Sequence, residues 1–422
     1  MQPRSKFQKE VFAASQMLPA ITEGQTDWAY RECLEHVGRR LKSGVITCIE
    51  CGHSWTDKTA KKNCTCPQCY TELVVQDTKR HKFTDYEYFC IVTAFRGFQV
   101  LRFVYVENKG KAGERVRYFY SEVVQRWIAP NGKHATIARL RTITFHSTTW
   151  NFGSKLEIRP EKSVHNIISD KVYPGMHLTP EIRRSGFDYN FYELSPFDMF
   201  RILLSENKAE TLLKTGQTGL LRYFVHNGFH KLESFWASVK ICIRNGYHVK
   251  DASIWCDYID LLRFFDKDIH NAKYVCPANL KAEHDKLVVK KQEFLKRQKA
   301  EKAKIKALAD EACFNELKSR FFGIEFSDGT IHIRVLESAK EVMQEGEALH
   351  HCVFTNEYHL KPDTLILSAC IGDKRLETVE LSLSELKVLQ CRGLCNQNTE
   401  YHDRIINLVS KNIPKIKKRI AA

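Results

Sequence analysis

The sequence has no run of about 18 apolar residues, so no stretch of it reads as a membrane-spanning helix. Its opening, MQPRSKFQKEVFAASQMLPA, carries charges but no continuous apolar core of the kind a secretory signal needs, and a cytoplasmic protein is expected. Walker A, GxSxG, HExxH and glycine-rich dinucleotide patterns are all missing, which argues against a nucleotide-driven motor. Acidic residues are in deficit: 50 Asp and Glu against 65 Lys and Arg leave a formal charge of +15 and a pI near 9.1. That balance favours anionic partners such as nucleic acid or a membrane surface, the bland alternative being a solvated basic surface.

Hydrophobic residues at 43% and aromatics at 11% exclude a disordered or fibrous chain, and 422 residues allow two or three cores. The 15 cysteines are odd in number and four have metal-ligand spacing, so reduced thiols are expected rather than a disulfide scaffold. Those four are Cys48 and Cys51, then, after fourteen residues, Cys66 and Cys69: two CxxC turns, each presenting two thiolates to one ion. A four-cysteine structural zinc site in a zinc ribbon follows, closed to water and contributing folding energy. Cys64 and His53 are spare donors. Lys42, Lys58, Lys61 and Lys62 around the ribbon are candidate phosphate contacts.

The chain divides by pattern into an N-terminal helix (1–42), the zinc ribbon (43–80), an antiparallel β domain (81–165), a helical bundle (166–285), a basic connecting helix (286–322) and a small α/β unit (323–422). The class is α+β, multidomain. Trp28, Cys33, Val37 and Leu41 recur as in a short amphipathic helix. Alternation from Tyr86 onward, with turns at Arg96-Gly97 and Asn131-Gly132, indicates five or six strands. Arg115, Arg117, Tyr118 and Tyr120 on them could meet single strands, or simply form the polar face of a sheet. Four helices are expected between residues 190 and 272, their aromatic stripes reading as core. Lys290, Lys291, Lys296, Arg297, Lys299, Lys302, Lys304 and Lys306 then concentrate positive charge on a helix free of Gly and Pro, along which a nucleic-acid backbone could lie. An exposed connector is the competing reading.

The densest set of reactive side chains lies between Glu341 and Asn398. Ser338 to Val353 reads as a helix capped by Ser338; Thr364 to Ile371, Glu377 to Leu383 and Lys387 to Arg392 read as strands. Alternation puts Thr378 and Glu380 on one face and Val379 and Leu381 on the other, and the apolar face is expected to pack on the helix. His351, Cys352 and Glu380 are the candidate catalytic residues, with Gln390, Arg392 and Asn396 as candidate substrate-binding residues. Three readings stay open: thiol chemistry, a metal set of His351, Cys352, Cys391 and Cys395, and acid–base work on a phosphodiester held by Arg392 and Gln390. Structural packing of the helix on the sheet is the plain alternative.

The order EG-x2-L-HHCV, TVEL, Q-x-R-G-x2-N resembles the PcfJ-like protein family of conjugative plasmids and other bacterial mobile elements, whose hallmark is a His-Cys-Val triplet, here His351, Cys352 and Val353. RNGYHVKDASIWCDYIDLLRFFDKDIHN and PANLKAEHDKL upstream extend the likeness to roughly residues 80 to 410. The resemblance implies a mobile-element setting and no established activity. Together with the charge and the ribbon it points to a nucleic-acid-binding protein. The alternatives are a hydrolytic or thiol-dependent enzyme and an adaptor with protein partners in a conjugation or phage complex.

Overall fold

The computed structural model describes residues 2–57, 59–143, 148–164, 167 and 169–421. The chain forms two compact units, residues 1–284 and 285–422. No helix among the described residues is long and apolar enough to cross a membrane.

The first unit opens with helices α1 (Lys6–Ser15) and α2 (Glu23–Glu32), each started by a reciprocal capping box, Ser5 with Gln8 and Thr22 with Gln25. The amphipathic period expected to run to Leu41 breaks at Cys33, and Val37–Arg40 is a strand, β1. Tertiary pairing overrides the local helical pattern: β1 runs parallel to β5 (Glu72–Asp77) and antiparallel to β2 (Val45–Cys48). With β3 (Ser54–Thr56) and β4 (Asn63–Thr65) they make a small sheet in the order β3-β2-β1-β5-β4.

Two 14-residue strands, β6 (Lys82–Phe95) and β7 (Phe98–Lys111), form a hairpin closed by Arg96 and Gly97 at φ +48° and +80°, the double left-handed turn that matches strand twist. Strands β8 (Arg117–Ile128), β9 (His134–Ala138) and β12 (Glu157–Ile158) extend the sheet to five, and β10 (Leu140–Ile143) pairs with β11 (Thr148–Asn151) as a separate hairpin. Helix α1 covers Phe98, Val100 and Trp127, and Ala29 of α2 joins Phe89, Ile91 and Val104 in a second core cluster.

Short α3 (Pro180–Arg184) precedes α4 (Pro196–Ser205), α5 (Asn207–Lys214), α6 (Thr218–Asn227), α7 (Leu232–Arg244), α8 (Ala252–Phe264) and α9 (Ala272–Val275). The pattern had indicated four helices between 190 and 272; α5 is the one that it missed, separated from α4 by the single non-helical residue Glu206. The aromatic stripes are core, as Trp255 at 0% exposure illustrates. Helix α10 (Leu280–Lys318) is 39 residues long and buries only Ala307, Phe314 and Lys318.

In the second unit β13 (Glu325–Ser327), β14 (His332–Val335), β15 (Thr364–Ile371), β16 (Lys374–Ser382) and β17 (Lys387–Arg392) form an antiparallel meander. Helix α11 (Ala339–Ala348) lies between β14 and β15 in sequence, and α12 (His402–Ala421) ends the chain. The apolar sheet face, with Val379 and Leu381, packs on Ile405, Val409 and Ile416 of α12. That corrects the expectation that it would meet the preceding helix. Val342 and Met343 of α11 instead join Ile366, a residue on the Thr378/Glu380 face.

Candidate functional site: a polar pocket and a four-cysteine centre

Helix α11 stops five residues before the expected Val353. Ser338 caps its start by accepting from Glu341 N at 3.0 Å, as expected, but the Glu341 carboxylate turns to Glu337 N and Arg334. At the other end Leu349 is the C-cap, His350 takes the left-handed position at φ +50°, and His351 N donates back to Gly346 O at 3.1 Å. This is a Schellman stop with histidine where glycine is usual. The side chain of His350 is exposed and does not line the pocket described next. His350→Gly is therefore expected to stabilise the chain by about 1 kcal/mol in urea unfolding without disturbing the pocket.

The stop sends His351 and Cys352 off the helix axis and over the sheet. A cavity of about 300 Å³ results, lined by His351, Cys352, Thr378, Glu380, Gln390, Arg392 and Asn396 among others. Register explains the convergence: Thr378 lies opposite Arg392 and Glu380 opposite Gln390, all on one face, with a bulge just beyond Glu380. Asn396 comes from the turn after β17, where Cys395 N donates to Leu349 O at 2.8 Å and so ties the turn to the end of α11. Gly393 is required there, because a Cβ would stand 2.7 Å from Leu376 O.

Behind the cavity runs a hydrogen-bonded chain. The Thr378 hydroxyl donates to Glu345 Oε1 at 3.0 Å and takes the Nε2–H of His351 at 2.8 Å, which leaves Nδ1 as the basic nitrogen. Glu345 is fully buried and paired with Arg375 at 2.7 Å. Burial pushes its carboxyl up despite bonds from Ser368 and Thr378 and the nearby Arg375 charge. Burial likewise pulls His351 below its ordinary value, so its imidazole is neutral at pH 7. Glu380 is buried and accepts from Thr364 at 3.3 Å; Arg392 is exposed and held by Asn398 at 2.6 Å.

Cys352 is exposed, and its thiol has no hydrogen bond to a base among the described residues. An activated nucleophile is thus unsupported by the geometry. The metal set of His351, Cys352, Cys391 and Cys395 is not assembled either. Cys391 faces the opposite side of the sheet, where its thiol donates to Glu377 at 2.8 Å.

That opposite side holds a cluster the sequence did not reveal. Glu377, 0% exposed, accepts from Cys391, from Thr399 N at 2.6 Å and Thr399 Oγ1 at 2.7 Å, and from His402 Nδ1 at 2.7 Å. Burial raises its pKa, but these bonds outweigh burial and hold it below the ordinary carboxylate value. Nothing in sequence spacing joins residues 377, 391 and 402; the docking of α12 does.

Cys48, Cys51, Cys66 and Cys69 do converge, their sulfurs all within 4.8 Å of one another. Cys48 and Cys69 are 3.8 Å apart and Cys51 and Cys66 3.7 Å. A tetrahedral ion bound at about 2.3 Å would hold sulfurs about 3.8 Å apart, whereas a disulfide needs about 2.05 Å. The four-cysteine site fits a metal ion. The same test separates it from Glu377, Cys391 and His402, whose contacts of 2.8 and 2.7 Å are hydrogen-bond lengths, shorter than any edge a shared metal would set. Gly52 in the first turn sits at φ +80° with Gly113 against it, so a Cβ would come 2.8 Å from the Gly113 carbonyl carbon. His53 stacks on Trp55 instead of joining the cysteines, and Cys64 lies outside the set. Lys42, Lys61 and Lys62 are exposed; Lys58 lies outside the described residues.

The expected Arg and Tyr surface on β8 is split by alternation. Tyr118 stacks on Tyr30 at 4.3 Å and donates to Glu50, so it is structural, and Tyr120 points to the same side, opposite to Arg117.

Fold and site together define a mixed α+β protein with a four-thiol cluster able to hold a metal ion in one unit and a polar pocket in the other. Residues 254–406 match the family model described as PcfJ-like protein, which supports the likeness first carried by the His-Cys-Val triplet. The matched span is narrower than the 80 to 410 that the motifs indicated, and it contains the whole pocket. No curated protein and no solved structure matches the chain.

Proposed function

We propose that this chain is a cytoplasmic nucleic-acid-binding protein of a bacterial mobile genetic element, with zinc in the four-cysteine centre as a structural ion of a zinc ribbon. The observation that carries binding is the run of exposed cations on α10. At about 1.5 Å per residue the helix is about 58 Å long, and from Leu280 to Lys306 it buries no residue. Lys296, Arg297, Lys299, Lys302 and Lys304 are exposed along it. Lys306 is engaged by Glu357 at 2.6 Å and by Asp310, and Lys290 and Lys291 make interactions of their own. Exposed cations along a helix meet phosphate by releasing counterions, so affinity should fall linearly with the logarithm of salt concentration. The triple variant K296E/K299E/K302E is expected to weaken binding to any sequence and to reduce the salt slope by about three. An unchanged slope would remove α10 from the interface. The mobile-element setting rests on the PcfJ-like match.

A second reading, acid–base chemistry in the pocket, is favoured by the Glu345–Thr378–His351 chain, because a neutral imidazole fixed through Nε2–H is how proteins orient a general base. Arg392 and Gln390 would hold the anion beside it. If so, turnover should fall as the pH drops through the lowered His351 value, His351→Ala should abolish it, and Thr378→Val should shift the acid limb while the fold is retained. A pH profile that is flat from 5 to 8, or that Thr378→Val leaves in place, would exclude this role for His351.

A further inference from the structure

One face of the β6–β7–β8 sheet carries charge beside aromatic rings, and only part of it is covered, where Trp150 donates to Tyr88 and Phe152 packs on Tyr105. Register places side chains of one face in rows. Lys82 lies opposite Lys111; in the next row Thr84, Lys109 and Arg117 are aligned; then Tyr86, Glu107 and Phe119; then Tyr88, Tyr105 and Ser121. Tyr86 is 60% and Phe119 40% exposed. Tyr105 joins them, its ring stacked on Tyr86 at 5.7 Å and edge-on to Phe119 at 6.4 Å, and Phe152, from just beyond β11, packs at 5.1 Å from Tyr105 and 5.0 Å from Phe119.

Like charges directly across two strands destabilise a sheet. This face has two such pairs side by side, Lys82 with Lys111 and Lys109 with Arg117. Glu107 at 2.7 Å from Lys109 and Glu114 beside Lys111 offset part of the repulsion, and both acids are nearest the two central lysines, leaving Lys82 and Arg117 exposed at the flanks. Large exposed rings next to exposed cations match one kind of occupant, a chain whose charged backbone and flat apolar groups alternate and are both accessible. In a duplex the bases are stacked on each other and cannot reach the rings; in a single strand they can.

We infer that this face is a platform for single-stranded nucleic acid, with bases stacked on Tyr86 and Phe119 and phosphates lying over Lys82 and Arg117. The inference rests on the nucleic-acid reading proposed above and adds the strandedness and the place. Fluorescence anisotropy of the full chain with a labelled oligothymidylate, and with a duplex of equal length, tests it against Y86A/F119A, K82E/R117E and the α10 variant K296E/K299E/K302E. Both residues of each sheet variant are exposed, and thermal melts coincident with the parent confirm that the fold is intact.

The expected result is tighter binding of the single strand than of the duplex, a loss of at least about tenfold for the single strand in Y86A/F119A with duplex affinity unchanged, and a smaller salt slope in K82E/R117E. Single-strand affinity within twofold of the parent in both sheet variants overturns the platform; if the α10 variant still weakens binding, the broader reading survives that failure. Equal binding of duplex and single strand also overturns it. No binding of either oligonucleotide by the parent overturns the platform and the nucleic-acid reading together.

Discussion

Cys66→Ser is expected to release the metal from the four-cysteine centre and to unfold the small sheet around it. That sheet has a small inner core, with Val37 and Ile49 packing outward on Phe83 as a second cluster. Its buried core cluster is Cys48, Cys66 and Leu73, with Cys51, Trp55, Cys64 and Cys69 packed against it, so the ligands are themselves a large part of the core. Structural zinc in isolated fingers supplies about 10–16 kcal/mol of folding free energy, far more than one leucine. One zinc per chain is expected in the parent, less than a tenth of that in Cys66→Ser, and fast amide exchange between Val37 and Asp77 in the variant, with β6 to β8 still protected. Cys64→Ser and His53→Ala should keep the full metal content. Loss of metal in Cys64→Ser, or an unchanged content in Cys66→Ser, would contradict the ligand assignment. A strong chelator should reproduce the Cys66→Ser exchange pattern in the parent.

Glu377→Ala has the second largest expected effect, a loss of about 3–5 kcal/mol in the stability of the C-terminal unit. The cost comes less from the deleted carboxylate than from what it leaves behind: the Thr399 amide and hydroxyl, the Cys391 thiol and His402 Nδ1 all lose their acceptor inside a buried site. Since these bonds pin the start of α12 to β16, the last helix should detach first. The pH dependence follows from the direction of the Glu377 shift. Its pKa is lower in the folded than in the unfolded chain, so the stabilisation is fully present above the unfolded value of about 4.3 and is lost as pH falls below that value through the folded one. Denaturant melts at pH 7 and pH 3 should show a steeper acid loss in the parent than in Glu377→Gln. A Glu377→Ala cost under 1 kcal/mol at pH 7 would mean that solvent replaces these bonds.

How much of this was legible in the sequence depends on the range of the interactions. The CxxC pairs could be read because each is local and only one loop must close to join them. The pocket could be read because strand alternation put Thr378 and Glu380 on one face, and the hairpin that follows brought Gln390 and Arg392 opposite them. What failed was decided at long range or by a single backbone angle. Val37 and Leu41 fit a helical period, yet β5, more than thirty residues on, takes Val37–Arg40 as a strand. The positive φ of His350, which no glycine announces, ends α11 early and moves His351 and Cys352 from a helix face to the pocket rim. Cys391 belongs with Glu377 and not with Cys352, because alternation sends it through the sheet to α12.

The central claim is nucleic-acid binding, and its most direct test is the affinity of the metal-loaded full chain for a labelled oligonucleotide between about 50 and 200 mM salt. The account predicts measurable binding at the low end and a steep, log-linear loss across the range, with a slope that shrinks in K296E/K299E/K302E. Absence of binding at 50 mM, or an affinity indifferent to salt, would contradict it and leave the basic surface of this chain to a protein partner.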